Sequence, residues 1–145
     1  MNNLIFRTRV FERPVFFILL LAAISCYFFA SDLGGLALTD PDESFYAETA
    51  KEMGQRGDWM TPYLFGKPQF EKPIFFYWML CVSYSIFGIN EFASRFPSVL
   101  FGFIGLVAIY YLGSILFTKR AGMLAALILA TSVEYIVLAR ACVTD

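Results

Sequence analysis

The 145-residue chain is 59% hydrophobic and 19% aromatic, with 17 Phe and a mean hydropathy of +0.64, well above the roughly 45–50% apolar usage of soluble domains. Its net charge is −1 and its 11 basic residues are scattered, which excludes the clustered positive footprint of a nucleic-acid binder. Cys26, Cys81 and Cys142 have neither metal nor disulfide spacing and the chain contains no His, so they read as small apolar fillers without chemistry.

A bilayer core of about 30 Å takes about 20 apolar residues in a helix. Three stretches qualify. Residues 14–31 carry no charge and follow Arg7, Arg9 and Arg13; residues 97–117 carry none; residues 121–139 carry only Glu134. The first is longer than the apolar region of a signal peptide, about 7–15 residues, and no small-x-small cleavage site precedes Asp32, so it reads as a retained anchor. Basic residues near short loops mark the cytoplasmic side. That rule places Arg7, Arg9 and Arg13 inside, and also Lys119-Arg120, in the turn between the last two spans. Residues 32–96 then form an outer loop, with a further outer segment from Arg140. The apolar stretch at 73–88 is short and crowded with aromatics, which suits a helix lying on the outer surface; a fourth true span is the alternative. Within the third span, Glu134 falls toward the outer interface, where snorkelling or pairing with Arg140 competes with a role in lining a site.

The outer loop opens with a helix signal: Asp40 at the N-cap, Pro41 at the first helical position, Glu43 at the third and Gly54 at the C-terminal end. Phe45, Tyr46, Thr49, Ala50 and Met53 would line one face, and Glu48, Lys51, Glu52 and Arg56 the wet one. Acids in a first turn answer the helix dipole without any catalysis. Carboxylates delivered to the end of a transmembrane helix can also accept a proton from a hydroxyl nucleophile. Glycines and prolines from Gly57 to Pro73 predict an ordered, non-helical loop anchored by Trp59 and Tyr63. It ends in Glu71-Lys72, either a surface ion pair of little worth or a lysine held at membrane level for a lipid phosphate.

Three motifs, Asp42-Glu43-x-x-Tyr46-Ala47-Glu48, Phe70-Glu71-Lys72-Pro73-x-x-x-Tyr77-Trp78 and Glu91-Phe92-Ala93-x-Arg95-x-Pro97, in this order, resemble the protein O-mannosyltransferase and aminoarabinose (lipid A) transferase group of polytopic GT-C glycosyltransferases. The resemblance implies an all-α integral membrane fold with amphipathic juxtamembrane helices in the first outer loop. It implies inverting transfer of a sugar from a polyprenyl monophosphate, undecaprenyl or dolichyl, to a hydroxyl or phosphate acceptor on protein, lipid A or glycan, at the extracytoplasmic face of the plasma (inner) membrane. By the same resemblance Asp42 is the catalytic carboxylate and Glu43 supports it. Lys72, with Arg95 and Arg140, binds the donor phosphate, and Asp145 occupies a second acidic position, on the side of Asp42 by the topology above. Glu71 matches a position that in some members helps bind a divalent metal, with a partner far downstream, so no cofactor is fixed. Many bacterial relatives have Arg where this chain has Phe45, which removes or relocates one phosphate contact. The sequence stops at Asp145 directly after an apolar segment, which reads as truncation of a longer polypeptide, and the fragment alone is expected to be inactive. Two other classes are weighed: a non-catalytic membrane scaffold, which would keep the acidic helix as structure, and a transporter, disfavoured because Glu134 is the only charge within the three spans.

Overall fold

The computed structural model describes residues 14–35, 37–38 and 41–143; Arg7, Arg9, Arg13, the N-cap residue Asp40 and the second acidic residue Asp145 lie outside the described residues. Among the described residues six helices occur in chain order: α1 (Pro14–Phe28), α2 (Pro41–Arg56), α3 (Ile74–Phe87), α4 (Glu91–Leu116), α5 (Lys119–Ala130) and α6 (Val133–Arg140). Between α2 and α3 the chain makes a two-stranded antiparallel hairpin, β1 (Tyr63–Leu64) and β2 (Lys67–Pro68), a small departure from an all-α fold. Phe65 and Gly66 at its tip have φ of 51° and 77°, the positive values that a two-residue hairpin turn matching strand twist requires.

The helices group into two units. In one, residues 14–31 pack with residues 100–139. Phe17 and Leu21 of α1 and Leu106 of α4 are buried, and the Phe17 ring lies 4.9 Å from that of Tyr110. Helices α4 and α5 meet on glycine. A Cβ added to Gly113 would stand 2.8 Å from the Cα of Gly122, and one added to Gly122 would run into the Tyr110 carbonyl. The backbones approach closely because neither residue has a side chain, the small-residue packing usual between apolar helices. Only α4, among the described residues, is long and apolar enough by itself to cross a bilayer.

Two helices differ in extent from the expected spans. Residues 121–139 are not one helix: α5 and α6 are bent by 66° at a short break. There the Thr131 hydroxyl bonds back to the carbonyls of Leu127 and Ile128, the local competition with the helix ladder that hydroxyl side chains offer. Glu134 consequently sits in the first turn of a new helix, not inside a continuous one. The helix that covers the span expected from Pro97 begins six residues earlier, at Glu91, because the Asn90 side chain accepts the Ala93 amide at 2.8 Å as a cap and Pro97 lies inside the helix. Pro97 has no N–H for the Ala93 carbonyl four residues back. Ser83, buried on α3, donates to that carbonyl at 2.6 Å and takes the missing amide's place.

The second unit comprises residues 32–99 with 140–143 of the described chain. Its core is α2 against α3: Tyr46, Ala50 and Met53 pack with Phe76, Tyr77, Leu80 and Cys81, joined by Cys142 from beyond α6. The Tyr46 ring meets Phe76 edge-on at 5.4 Å and Tyr77 at 5.6 Å. Two details of α2 differ from expectation. It ends at Arg56, with Gly57 in the left-handed region at φ 67°, so the stop is Gly57 and not Gly54. Its buried face contains Glu43 and Ala47, while Phe45 is half-buried. Helix α3 has 14 residues, about 21 Å at 1.5 Å each, shorter than a bilayer core.

Candidate functional site

The first turn of α2 presents two adjacent carboxylates in opposite environments: Asp42 is exposed and Glu43 is buried. Successive helical residues are turned about 100° from one another, so a helix packed on one side separates such neighbours in this way. Glu43 is fully engaged. Its Oε1 accepts from Arg95 Nε at 3.1 Å and from the Cys142 amide at 2.8 Å, and its Oε2 accepts from Arg95 Nη2 at 2.8 Å. Arg95 also donates through Nη1 to the Leu33 carbonyl at 3.0 Å and through Nη2 to the Ala37 carbonyl at 3.2 Å. Burial alone would raise the Glu43 pKa. The hydrogen bonds from Arg95 and from the Cys142 amide, with the guanidinium charge, outweigh it and hold the carboxyl below its ordinary value.

Arg95 was expected beside a donor phosphate; its fork instead points inward onto Glu43 and two backbone carbonyls. A buried carboxylate needs a cation and full hydrogen bonding to stay charged, and Arg95 is the group that meets that need.

Lys72 stands with its ammonium 5.7 Å from the centre of the Tyr46 ring. Tyr46 follows Asp42 by four residues, one helical turn along the same face. Tyr46 itself is buried in the α2–α3 core, so the loop brings a cation against the helix whose first turn carries Asp42. What holds the loop is a set of bonds the sequence did not reveal. Gln69 donates to the Tyr77 hydroxyl at 2.9 Å and to Thr49 at 3.3 Å, and the Trp78 indole donates to the Trp59 carbonyl at 2.7 Å. Upstream, the Gly66 amide donates to Glu52, and Arg56 pairs with Glu52 and lies over the Tyr63 ring at 4.3 Å.

The remaining expected residues are more dispersed. Glu71 is exposed, and no group of three or more metal-ligating side chains occurs among the described residues. Arg140 is half-buried at the end of α6. Two residues before the undescribed end of the chain, Val143 packs against the α2–α3 core. The cysteines act as fillers where they are buried. Cys81 donates to the Ala50 carbonyl, and the Cys142 thiol is pushed up to about 12 by burial and by the nearby Glu43 charge; Cys26 is exposed.

The described chain is mostly helical, with one helix long and apolar enough by itself to cross a bilayer. The chain belongs to the dolichyl-phosphate-mannose-protein mannosyltransferase family, whose profile matches residues 71–145. It is 44% identical over 104 residues to the undecaprenyl phosphate-alpha-4-amino-4-deoxy-L-arabinose arabinosyl transferase of Photorhabdus laumondii, covering 72% of this chain and 18% of that protein. The transferase of the same description from Yersinia enterocolitica is 43% identical over 112 residues, covering 74% and 20%. In structure the chain is similar to ArnT from Cupriavidus metallidurans bound to undecaprenyl phosphate, with a TM-score of 0.79 and 31% identity over 85% of this chain and 23% of that one. The chain thus spans about a fifth of the length of the relatives it matches.

Proposed function

We propose that the protein is a membrane glycosyltransferase that moves a sugar from a polyprenyl-phosphate donor to a hydroxyl or phosphate acceptor, with inversion, on the extracytoplasmic face. The observation that carries this reading is Asp42 exposed in the first turn of α2, with Lys72 beside Tyr46 four residues on. The names of the similar transferases specify the donor class, undecaprenyl phosphate carrying 4-amino-4-deoxy-L-arabinose, which is the donor we assign here. The acceptor is a lipid A phosphate or a hydroxyl on protein or glycan.

In this mechanism the acceptor oxygen attacks the anomeric carbon and its proton passes to Asp42. The bond between that carbon and the phosphate oxygen breaks, and the polyprenyl phosphate leaves with the electron pair. Lys72, joined by Arg140, meets the charge that grows on the leaving phosphate, the kind of development that a fixed cation in a dry site stabilises. The membrane arrangement that suits this chemistry has the N-terminus and Lys119-Arg120 in the cytoplasm. Residues 32–96 and the segment from Arg140 then lie outside, with α3 along the surface.

The test is sugar transfer in membranes carrying the native protein, with undecaprenyl-phosphate-linked aminoarabinose as donor, comparing wild type with Asp42→Asn at matched expression. Transfer by wild type that collapses in the variant is expected. Equal transfer by both would remove Asp42 from the mechanism, and no transfer by wild type would favour a scaffold role.

A further inference from the structure

Glu43 is adjacent to the acid of the proposed mechanism, yet nothing about its surroundings suits proton transfer. It is buried, charged and already accepts three hydrogen bonds. We infer that Glu43 and Arg95 are positioning residues for Asp42, a buried brace that fixes the rotation of the first turn of α2 and fastens the chain after α6 beside it. This inference rests on the reading of Asp42 given above.

Four segments converge on the pair. Glu43 belongs to the start of α2, Arg95 to the start of α4, the Leu33 and Ala37 carbonyls to the turn that precedes α2, and the Cys142 amide to the segment after α6. From Tyr46 onward, α2 is held by non-directional apolar contacts with α3 together with single hydrogen bonds at Ala47, Thr49 and Ala50. Its first turn, where Asp42 lies, is held by directional bonds. With Glu43 pointing inward, Asp42 is turned about 100° away, and it is exposed. A buried ion pair is commonly no more stabilising than an apolar replacement of the same volume, so stability alone does not account for a carboxylate and a guanidinium satisfied at this number of points. Orientation does.

The chemistry of the brace is demanding. Oε1 and Oε2 of Glu43 accept from three N–H groups and donate to none. A glutamine at this position would either turn its NH2 toward the guanidinium, placing donor against donor, or lose the Cys142 amide. A lysine in place of Arg95 would keep the charge but lose the fork that reaches Glu43 together with the Leu33 and Ala37 carbonyls.

The experiment measures steady-state transfer by the native protein in membranes from undecaprenyl-phosphate-linked aminoarabinose, with kcat expressed per molecule of monodisperse, detergent-extractable protein. Four variants are compared: Glu43→Gln, Arg95→Lys, Cys142→Ala and Asp42→Asn. Misplacing a reacting group by about 1 Å costs about a hundredfold in rate. Glu43→Gln and Arg95→Lys are therefore expected to lose kcat on that scale while the donor KM stays within about twofold, and Cys142→Ala, which keeps the backbone amide, to match wild type. A purely structural pair would change the amount of extractable protein and leave kcat per molecule intact, and that result would overturn the inference. A rise in donor KM with kcat retained would also overturn it, by placing the pair in contact with the donor. If Glu43→Gln cannot be extracted folded, Arg95→Lys carries the test under the same criteria. Asp42→Asn separates the two claims. Its loss of transfer beside a fully active Glu43→Gln sinks the brace alone, whereas an active Asp42→Asn sinks the mechanism the brace is meant to serve.

Discussion

Lys72 lies with its ammonium 5.7 Å from the ring centre of Tyr46, on the residue one helical turn beyond Asp42. An ammonium near an aromatic face is attracted by the ring quadrupole. Lys72→Gln is expected to lower transfer from the lipid-phosphate donor by about a hundredfold or more, in line with removal of one fixed group that stabilises developing charge. Lys72→Arg should keep part of the rate. Transfer assays on the native protein with both variants check this; wild-type rates in Lys72→Gln would assign the phosphate to other cations.

Ser83 substitutes for the amide that Pro97 lacks, so the two positions should be coupled. Ser83→Ala leaves the Ala93 carbonyl buried without its donor, at a cost of about 1–3 kcal/mol. Pro97→Ala restores a backbone N–H four residues beyond that carbonyl. In a double-mutant cycle on thermal or denaturant stability, Ser83→Ala is expected to cost less in the Pro97→Ala background than in wild type. Equal costs would mean that the serine bond contributes nothing to the helix.

Acid should weaken the brace in a defined direction. The folded-state pKa of Glu43 lies below its ordinary value of 4.5, so the unfolded chain binds the proton more readily. The group's contribution to stability is then fully present above the unfolded value and is lost as pH falls through the folded one. The difference in melting midpoint between wild type and Glu43→Gln, measured in detergent, is expected to be constant from pH 7 to about pH 5 and to shrink below about pH 4.5. A difference that widens on acidification would contradict a depressed Glu43.

The close approach of α4 and α5 leaves no room for side chains. Gly122→Leu is expected to force the helices apart at Gly113 and Tyr110 and to destabilise the first unit by about 1–3 kcal/mol or more. Gly54→Ala, at a helical position with nothing within 4 Å of an added Cβ, should be neutral to slightly stabilising. Melting midpoints of the two variants side by side provide the check.

The elements with strong local signals were legible in the sequence. Pro41 and the acids at 42 and 43 start α2, and the apolar runs gave α1, α3 and α4 to within a few residues. Boundaries failed where a local signal was answered from elsewhere. Pro97 looked like a helix start until Ser83, distant in sequence, satisfied the carbonyl it orphans. Gly54 looked like a stop although Gly57 has the left-handed backbone that ends the helix. The break at Thr131 depends on hydroxyls folding back on their own helix, a choice that apolar composition does not signal. In the candidate site, Asp42 and Lys72 were legible as residue types at a loop. The partnership of Glu43 with Arg95 was not, because 52 residues separate them and neither carries a local sign of the other. Arg95 was accordingly read as a phosphate ligand.

The same brace sets an order of assembly. Glu43 leaves the ribosome before either of its partners, Arg95 by 52 residues and the Cys142 amide by 99. Until both arrive, its carboxylate must remain hydrated or protonated, since it cannot enter an apolar interior unpaired. The α2–α3 core can form early from contacts close in sequence. The first turn of α2 is completed only by contacts of long loop closure, which form late. The first turn of α2, which carries Asp42, is thereby expected to be the last part of its unit locked in place, and a chain interrupted before Cys142 to carry a packed helix whose first turn lacks one of its fastenings.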